Sequence, residues 1–335
     1  MIHDNISSSK REFISISSKE KYTIDLPDFV STSCLASKNG WLLLLRDVVL
    51  EETSFSLFLL NPITKEKIEM PPIDKDGAEV SSCFAAFSIL NGYPHHVGLV
   101  YCVNKESGLL MITLACCDGD RLWQKAALLQ QFLVCTMMIG STLYCLGGDG
   151  CLFLADNVIR SLWKHLNRHA GVEQQEFAFS KSHFMEYQGQ LLMMVGFPVK
   201  NADEPLAVYK LITGDITTYP KQEKQKDKDS NDVPYYFLPD GIIKWEKLES
   251  DEVRGMSFFL NMNHLGACGY VLDRNSYQIP ECSTLGFSVS GDDEFHVTIK
   301  RVNAAWNPKS VCPAVEVTLH SGMRTNGSWQ WVQIE

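Results

Sequence analysis

Residues Ser56–Pro72, SLFLLNPITKEKIEMPP, write out an apolar strand, an Asn-Pro turn and a short returning strand. Asn-Pro favours a turn because the proline ring holds the preceding residue out of the helical region, and an asparagine side chain bonds its own backbone. Thr64–Lys67 are solvent-tolerant, and Ile68 and Met70 alternate with Lys67 and Glu69 as a half-buried strand requires. Such a segment commits the chain to antiparallel pairing.

The same grammar recurs. Val97–Val103 and Gly108–Leu114 flank Asn-Lys-Glu-Ser, Leu143–Leu146 and Cys151–Leu154 flank Gly-Gly-Asp-Gly, and Phe184–Tyr187 and Gln190–Val195 flank Gln188-Gly189. Turns near Asn61, Asn104, Gly148 and Gly189 lie roughly 40 residues apart, close to the length of a four-stranded propeller blade. Spacing by itself leaves a stack of sandwich hairpins open, and the repeats are too irregular to count blades. Lys38-Asn39-Gly40 precedes WLLLL, which reads as a buried strand paired through RDVVLEET with Phe55–Leu60. Arg121-Leu122-Trp123 reads as an outer strand, and Trp163 and Trp245 stand in comparable places after apolar strands, where aromatic rings wedge neighbouring blades.

At 335 residues, 45% hydrophobic and 21% charged, the chain has the composition of a folded globule with room for one large β domain. Forty acidic against thirty basic residues, a net charge of -10, argue against nucleic acid and anionic membranes as partners, since both demand a concentrated basic surface. The eleven cysteines are scattered, several inside apolar runs such as those of Cys102, Cys135 and Cys145, and read as small buried hydrophobes in a reducing compartment. Residues 1–34 carry no continuous apolar leader. Cytosol or nucleus is therefore expected; an organellar presequence is the alternative, disfavoured by Asp4, Glu12 and Glu20. Lys221–Asp229, continuing to Asp232, is dense in mixed charge and reads as a solvated loop, 221–232, inside the β domain.

Signatures of catalysis and cofactor binding are weak. Gly147–Gly150 leads into a strand-like Cys-Leu-Phe-Leu instead of a helix, so it reads as a hairpin turn and not a phosphate loop. His165 and His169 would share one face of a short helix but lack the acidic residue of the zinc-protease pattern. Adjacent His95 and His96 would point to opposite sides of a regular strand, which disfavours shared metal ligation. Cys116-Cys117 lacks the Cys-x-x-Cys spacing and reads as packing before a turn. No catalytic residue, cofactor or metal site is assigned. Asp118, Asp120 and Arg121, Asp149, and Asp292 and Asp293 are the candidate protein-contact loop residues.

Four segments, in order, carry a family likeness: Asn39-Gly40-Trp41-Leu42, Leu59–Pro72, His183–Val195, and Trp245-Glu246-Lys247-Leu248 followed by Gly255–Leu260. In these the chain resembles the plant F-box-associated proteins of the DUF295 class, whose β-propeller is related to that of the KIB proteins. The resemblance implies an all-β propeller of four-stranded antiparallel blades over residues 35–335, and a non-catalytic role in binding a regulatory protein, related to substrate recognition in ubiquitin ligases. Family members commonly begin with an F-box that engages Skp1. Residues 1–34 are too short and too poor in helical periodicity for that module, so they are expected to be an extension without it. Gly286–Glu335 keeps β alternation in FHVTIKRV and AVEVTL while departing from the family wording, as a divergent last unit would; GSWQWVQIE reads as a late strand able to close a ring. The alternatives are a propeller enzyme acting on a small molecule or glycan, and an inactive truncated relative.

Overall fold

The structure, a computed structural model, describes residues 9–14, 21–46, 54–74, 79–104, 109–117, 123–129, 133–148, 150–156, 161–165, 182–195, 207–213, 236–237, 243–249, 252, 256–261, 269–273, 283–289, 295–301, 315–317, 323–325 and 328–330. These residues are almost entirely β-strand. A hairpin of β1 (Lys10–Ile14) and β2 (Lys21–Asp25) leads through a single 3-10 turn, Pro27–Phe29, into the first blade: β3 (Thr32–Lys38), β4 (Trp41–Arg46), β5 (Ser54–Leu60) and β6 (Lys67–Glu69), with β7 (Ile73–Asp74) also on β5.

Blade two is β8 (Glu79–Leu90), β9 (Tyr93–Asn104), β10 (Leu109–Cys116) and β11 (Gln124–Leu129) in sheet order. Blade three is β12 (Leu133–Ile139), β13 (Thr142–Gly147), β14 (Leu152–Asp156) and β15 (Ser161–His165), with β19 (Tyr236–Phe237) added in parallel to β15. Blade four is β16 (His183–Tyr187), β17 (Gln190–Val195), β18 (Ala207–Thr213) and β20 (Ile243–Lys247). Beyond it, β21 (Met256–Asn261) pairs with β22 (Gly269–Asp273), and β23 (Ser283–Val289), β24 (Phe295–Arg301) and β25 (Val315–Val317) continue the sheet. The first strand of each blade abuts the first strand of the next, β3 on β8, β8 on β12 and β12 on β16, and β16 pairs in parallel with β22. Finally β26 (Met323–Thr325) pairs with β27 (Ser328–Gln330), and β26 lies against β1.

The apolar runs are explained by this stacking, because an inner blade buries both faces of its sheet. Along β4, Trp41, Leu43 and Leu45 enter the core between blades one and two, while Leu42 and Leu44 pack on Leu26 and Phe29. In blade three, Leu143, Cys145, Phe153 and Ala155 face blade two, and Leu146, Leu152 and Leu154 face Phe184, Met193 and Trp245 of blade four. Each buried leucine, methionine or phenylalanine among them contributes about 1.5–3 kcal/mol. Trp245 is the expected inter-blade wedge, tilted at 6.1 Å from Phe184. Trp123 packs between blades one and two and donates its indole N–H to Pro71 O at 2.7 Å. It directly precedes the outer strand β11, which begins at Gln124; Arg121 and Leu122 of the expected strand lie outside the described residues.

The Asn61-Pro62 turn forms for the expected reason: Asn61 Oδ1 accepts the N–H groups of Ile63 and Thr64, both at 3.0 Å. Lys67, expected to be solvent-tolerant, is half-buried and donates to Asp28 and Glu69, 2.6 Å each. Burial pulls its pKa down, but the hydrogen bonds to Asp28 and Glu69 outweigh it and hold the ammonium above its ordinary value. Asp28 thereby ties the segment before β3 to blade one.

Candidate functional site

Of the four turns whose spacing was read above, Gln188-Gly189 alone belongs to the set of equivalent first turns of the blades; those near Asn61, Asn104 and Gly148 come from other positions in their blades. Asn39-Gly40 joins β3 to β4, Asn91-Gly92 joins β8 to β9, Gly140-Ser141 joins β12 to β13, and Gln188-Gly189 joins β16 to β17, a period of about 50 residues. Asn39, Asn91 and Gln188 have φ of 46°, 54° and 51°, and the glycines that follow 78°, 85° and 75°, the two left-handed residues that suit the twist of a two-residue hairpin. Asn91-Gly92, like Asn39-Gly40, is the Asn-Gly pair that marks a tight hairpin, a signal not among the turns read from spacing.

These four turns mark one end of the blades. Lys38, the last residue of β3, donates to Met138 O near the end of β12 at 3.3 Å and forms an ion pair with Glu186 on β16. One side chain therefore links blades one, three and four around the axis, which requires their first strands to run the same way. At the same end, Trp41 donates its indole N–H to Gly92 O at 3.3 Å and its ring lies 6.2 Å from that of Tyr93, joining the first two hairpins. Beside them stand large exposed apolar residues, Leu90 at 52% and Tyr93 at 58%; Ile63 at 61% sits in the Asn61 turn at this end of β5.

Behind this rim, His95, His96 and Cys116 gather so that one ligand atom of each lies within 4.8 Å of the others. The regular-strand expectation fails here because the strand is not regular. Phe87 pairs with Val97 and Ile89 with Pro94, so Ser88 alone on β8 opposes both His95 and His96 on β9. That is a β-bulge, which re-aims a side chain and puts two neighbours on one side. Ser88 Oγ accepts the His96 N–H at 3.2 Å, and His95 O accepts the N–H of Cys117 at 2.8 Å. The imidazole centroids are 4.0 Å apart in an edge-on arrangement, and Cys116 is the direct cross-strand partner of His96.

Asp118, Asp120, Arg121, Asp149, Asp292 and Asp293 lie outside the described residues, as do segment 221–232 and His169. Their described neighbours are separated: Cys117 is at the hairpin-turn end of blade two, whereas Gly148 and Gly150 belong to the β13–β14 turn at the opposite end of blade three. That turn is closed by Gly150 N–H to Gly147 O at 2.9 Å and runs into strand β14, in keeping with a hairpin and not a phosphate cradle. His165 ends strand β15, so helical spacing to residue 169 does not apply. The thiols of Cys34 and Cys145 are pushed up by burial, Cys34 to about 12, as expected of packing cysteines.

Successive antiparallel sheets, packed face to face with their first strands around an axis, define a β-propeller. Comparison with family sequence models bears this out: residues 13–282 match the KIB1-4 beta-propeller. The chain belongs to that family. Comparison with curated proteins found no match.

Proposed function

We propose that this protein is a non-catalytic propeller that docks another protein on its hairpin-turn face. The observation that carries the reading is the pair Leu90 and Tyr93, more than half exposed on either side of a turn held by Trp41. Interface cores are enriched in aromatic residues and depleted of charge, and a rigid anchor loses little entropy when it docks. At the mouth of the axis Glu186 is engaged by Lys38, so its charge is spent on joining blades. The family assignment supports an interaction role of this kind. The partner we propose is a regulatory protein, of the sort that substrate-recognition modules of ubiquitin ligases bind.

The test is affinity capture from plant cells with the tagged intact chain, beside a Leu90→Glu/Tyr93→Glu double variant and a variant lacking 221–232. A regulatory protein that is retained by the parent and by the loop deletion, and lost from the double variant at unchanged melting temperature, supports the reading. Equal retention by the double variant refutes this face as the docking site. Co-purification of Skp1 and cullin would place the docking within a ubiquitin ligase, and their absence would make it binding without ligase recruitment.

A further inference from the structure

We propose that His95, His96 and Cys116 form a binding site for a thiophilic divalent transition-metal ion, with zinc as the reference case. Two imidazoles and a thiolate are a borderline-soft donor set, which suits zinc, cobalt or copper and not magnesium or calcium. Zinc–nitrogen and zinc–sulfur bond lengths place tetrahedral ligand atoms about 3.3–3.6 Å apart. The three atoms already lie within 4.8 Å of one another, a little over an ångström from that spacing.

What makes the cluster a built feature is its backbone. A regular strand would separate neighbouring side chains; the bulge opposite Ser88 brings these two together, and the Ser88 hydroxyl holds it by accepting the His96 N–H. The third donor comes from another strand in fixed register, Cys116 opposite His96. His95 and Cys116 are half-buried and His96 is buried, so the cluster lies at the edge of the core and not in its centre. Three protein ligands with an open position are the pattern of zinc sites that hold a water or accept an outside group, in contrast to closed structural sites. Strand parity makes the proposal specific: Cys117, the next residue, packs in the core between blades one and two, away from the cluster.

The test uses the purified full chain, stripped of metal by chelator dialysis and titrated with cobalt(II) alone. The expected result is one equivalent bound, with a thiolate-to-cobalt charge-transfer band that zinc displaces. Cys116→Ser abolishes the band, Cys117→Ser keeps it, and His95→Ala and His96→Ala each weaken binding by at least about tenfold, the scale of metal-site substitutions. Zinc raises the melting temperature of the parent and of Cys117→Ser but not of Cys116→Ser. If His96→Ala fails to fold, His95→Ala and the two cysteine variants decide the matter. No band in the parent, a band that survives Cys116→Ser, or a band lost equally in Cys117→Ser overturns the site.

Discussion

Gly98 gives the sharpest test of how the blades pack. It lies on β9, on the side that faces blade three. A Cβ added there would stand 2.9 and 3.0 Å from the two methyl carbons of Leu143 and 3.2 Å from a methyl of Leu114. Leu143 is fully buried and Leu114 is 5% exposed, both in the core between blades two and three, so a leucine end that shifts must do so against close-packed neighbours. Overpacking of this kind costs about 1–3 kcal/mol. Replacing glycine within a strand returns about 0.5–1 kcal/mol by narrowing the unfolded ensemble. Taking the middle of each range, Gly98→Ala should therefore destabilise by about 1 kcal/mol, the clash outweighing the entropy gain. Leu143→Ala by itself should cost about 2–5 kcal/mol, and in the double variant the added methyl occupies part of the vacated space. The pair should then be less destabilised than the sum of the singles by about 1 kcal/mol. Guanidinium unfolding followed by tryptophan fluorescence, compared at constant m-value, measures all four corners of the cycle. A neutral or stabilising Gly98→Ala, or additivity within about 0.5 kcal/mol, would refute the facing of Gly98 and Leu143 across the blade interface.

Three further outcomes follow from the structure. Lys38→Met removes the group that links blades one, three and four and strands the half-buried Glu186; a loss of about 1–3 kcal/mol is expected, partly recovered by adding Glu186→Gln, in denaturant titrations of the single and double variants. The buried Cys34 thiol has its pKa raised from 9.0 to about 12, so the unfolded chain releases this proton first as pH rises. Its contribution is fully present below pH 9.0 and is lost between pH 9.0 and about 12, at about 1.4 kcal/mol per pH unit, and Cys34→Ala should flatten the alkaline fall in stability measured by equilibrium unfolding. Ser88→Ala deprives the buried His96 N–H of its side-chain acceptor and should cost about 1–3 kcal/mol, read by thermal melting, with cobalt affinity falling in parallel.

Much of the fold could be read from local pattern, because period-2 alternation and turn chemistry are properties of adjacent residues. Phe184–Tyr187 and Gln190–Val195 about Gln188-Gly189, and the Asn61-Pro62 hairpin, became β16–β17 and β5–β6 as expected. WLLLL became a strand buried on both faces, and the family segments between Asn39 and Leu260 fall within the matched 13–282. The contacts that join the blades and gather the histidine cluster were not written locally. Lys38 meets Glu186 across 148 positions of chain, a contact that exists because the first strands of separate blades end together around one axis. His95 and His96 share a side because a serine on another strand faces two residues instead of one, and no spacing within Tyr-Pro-His-His-Val-Gly encodes that count. Alternation along a strand follows from backbone stereochemistry and is settled residue by residue; register between strands and the stacking of blades are settled by which apolar faces bury each other, and that is a property of the whole chain.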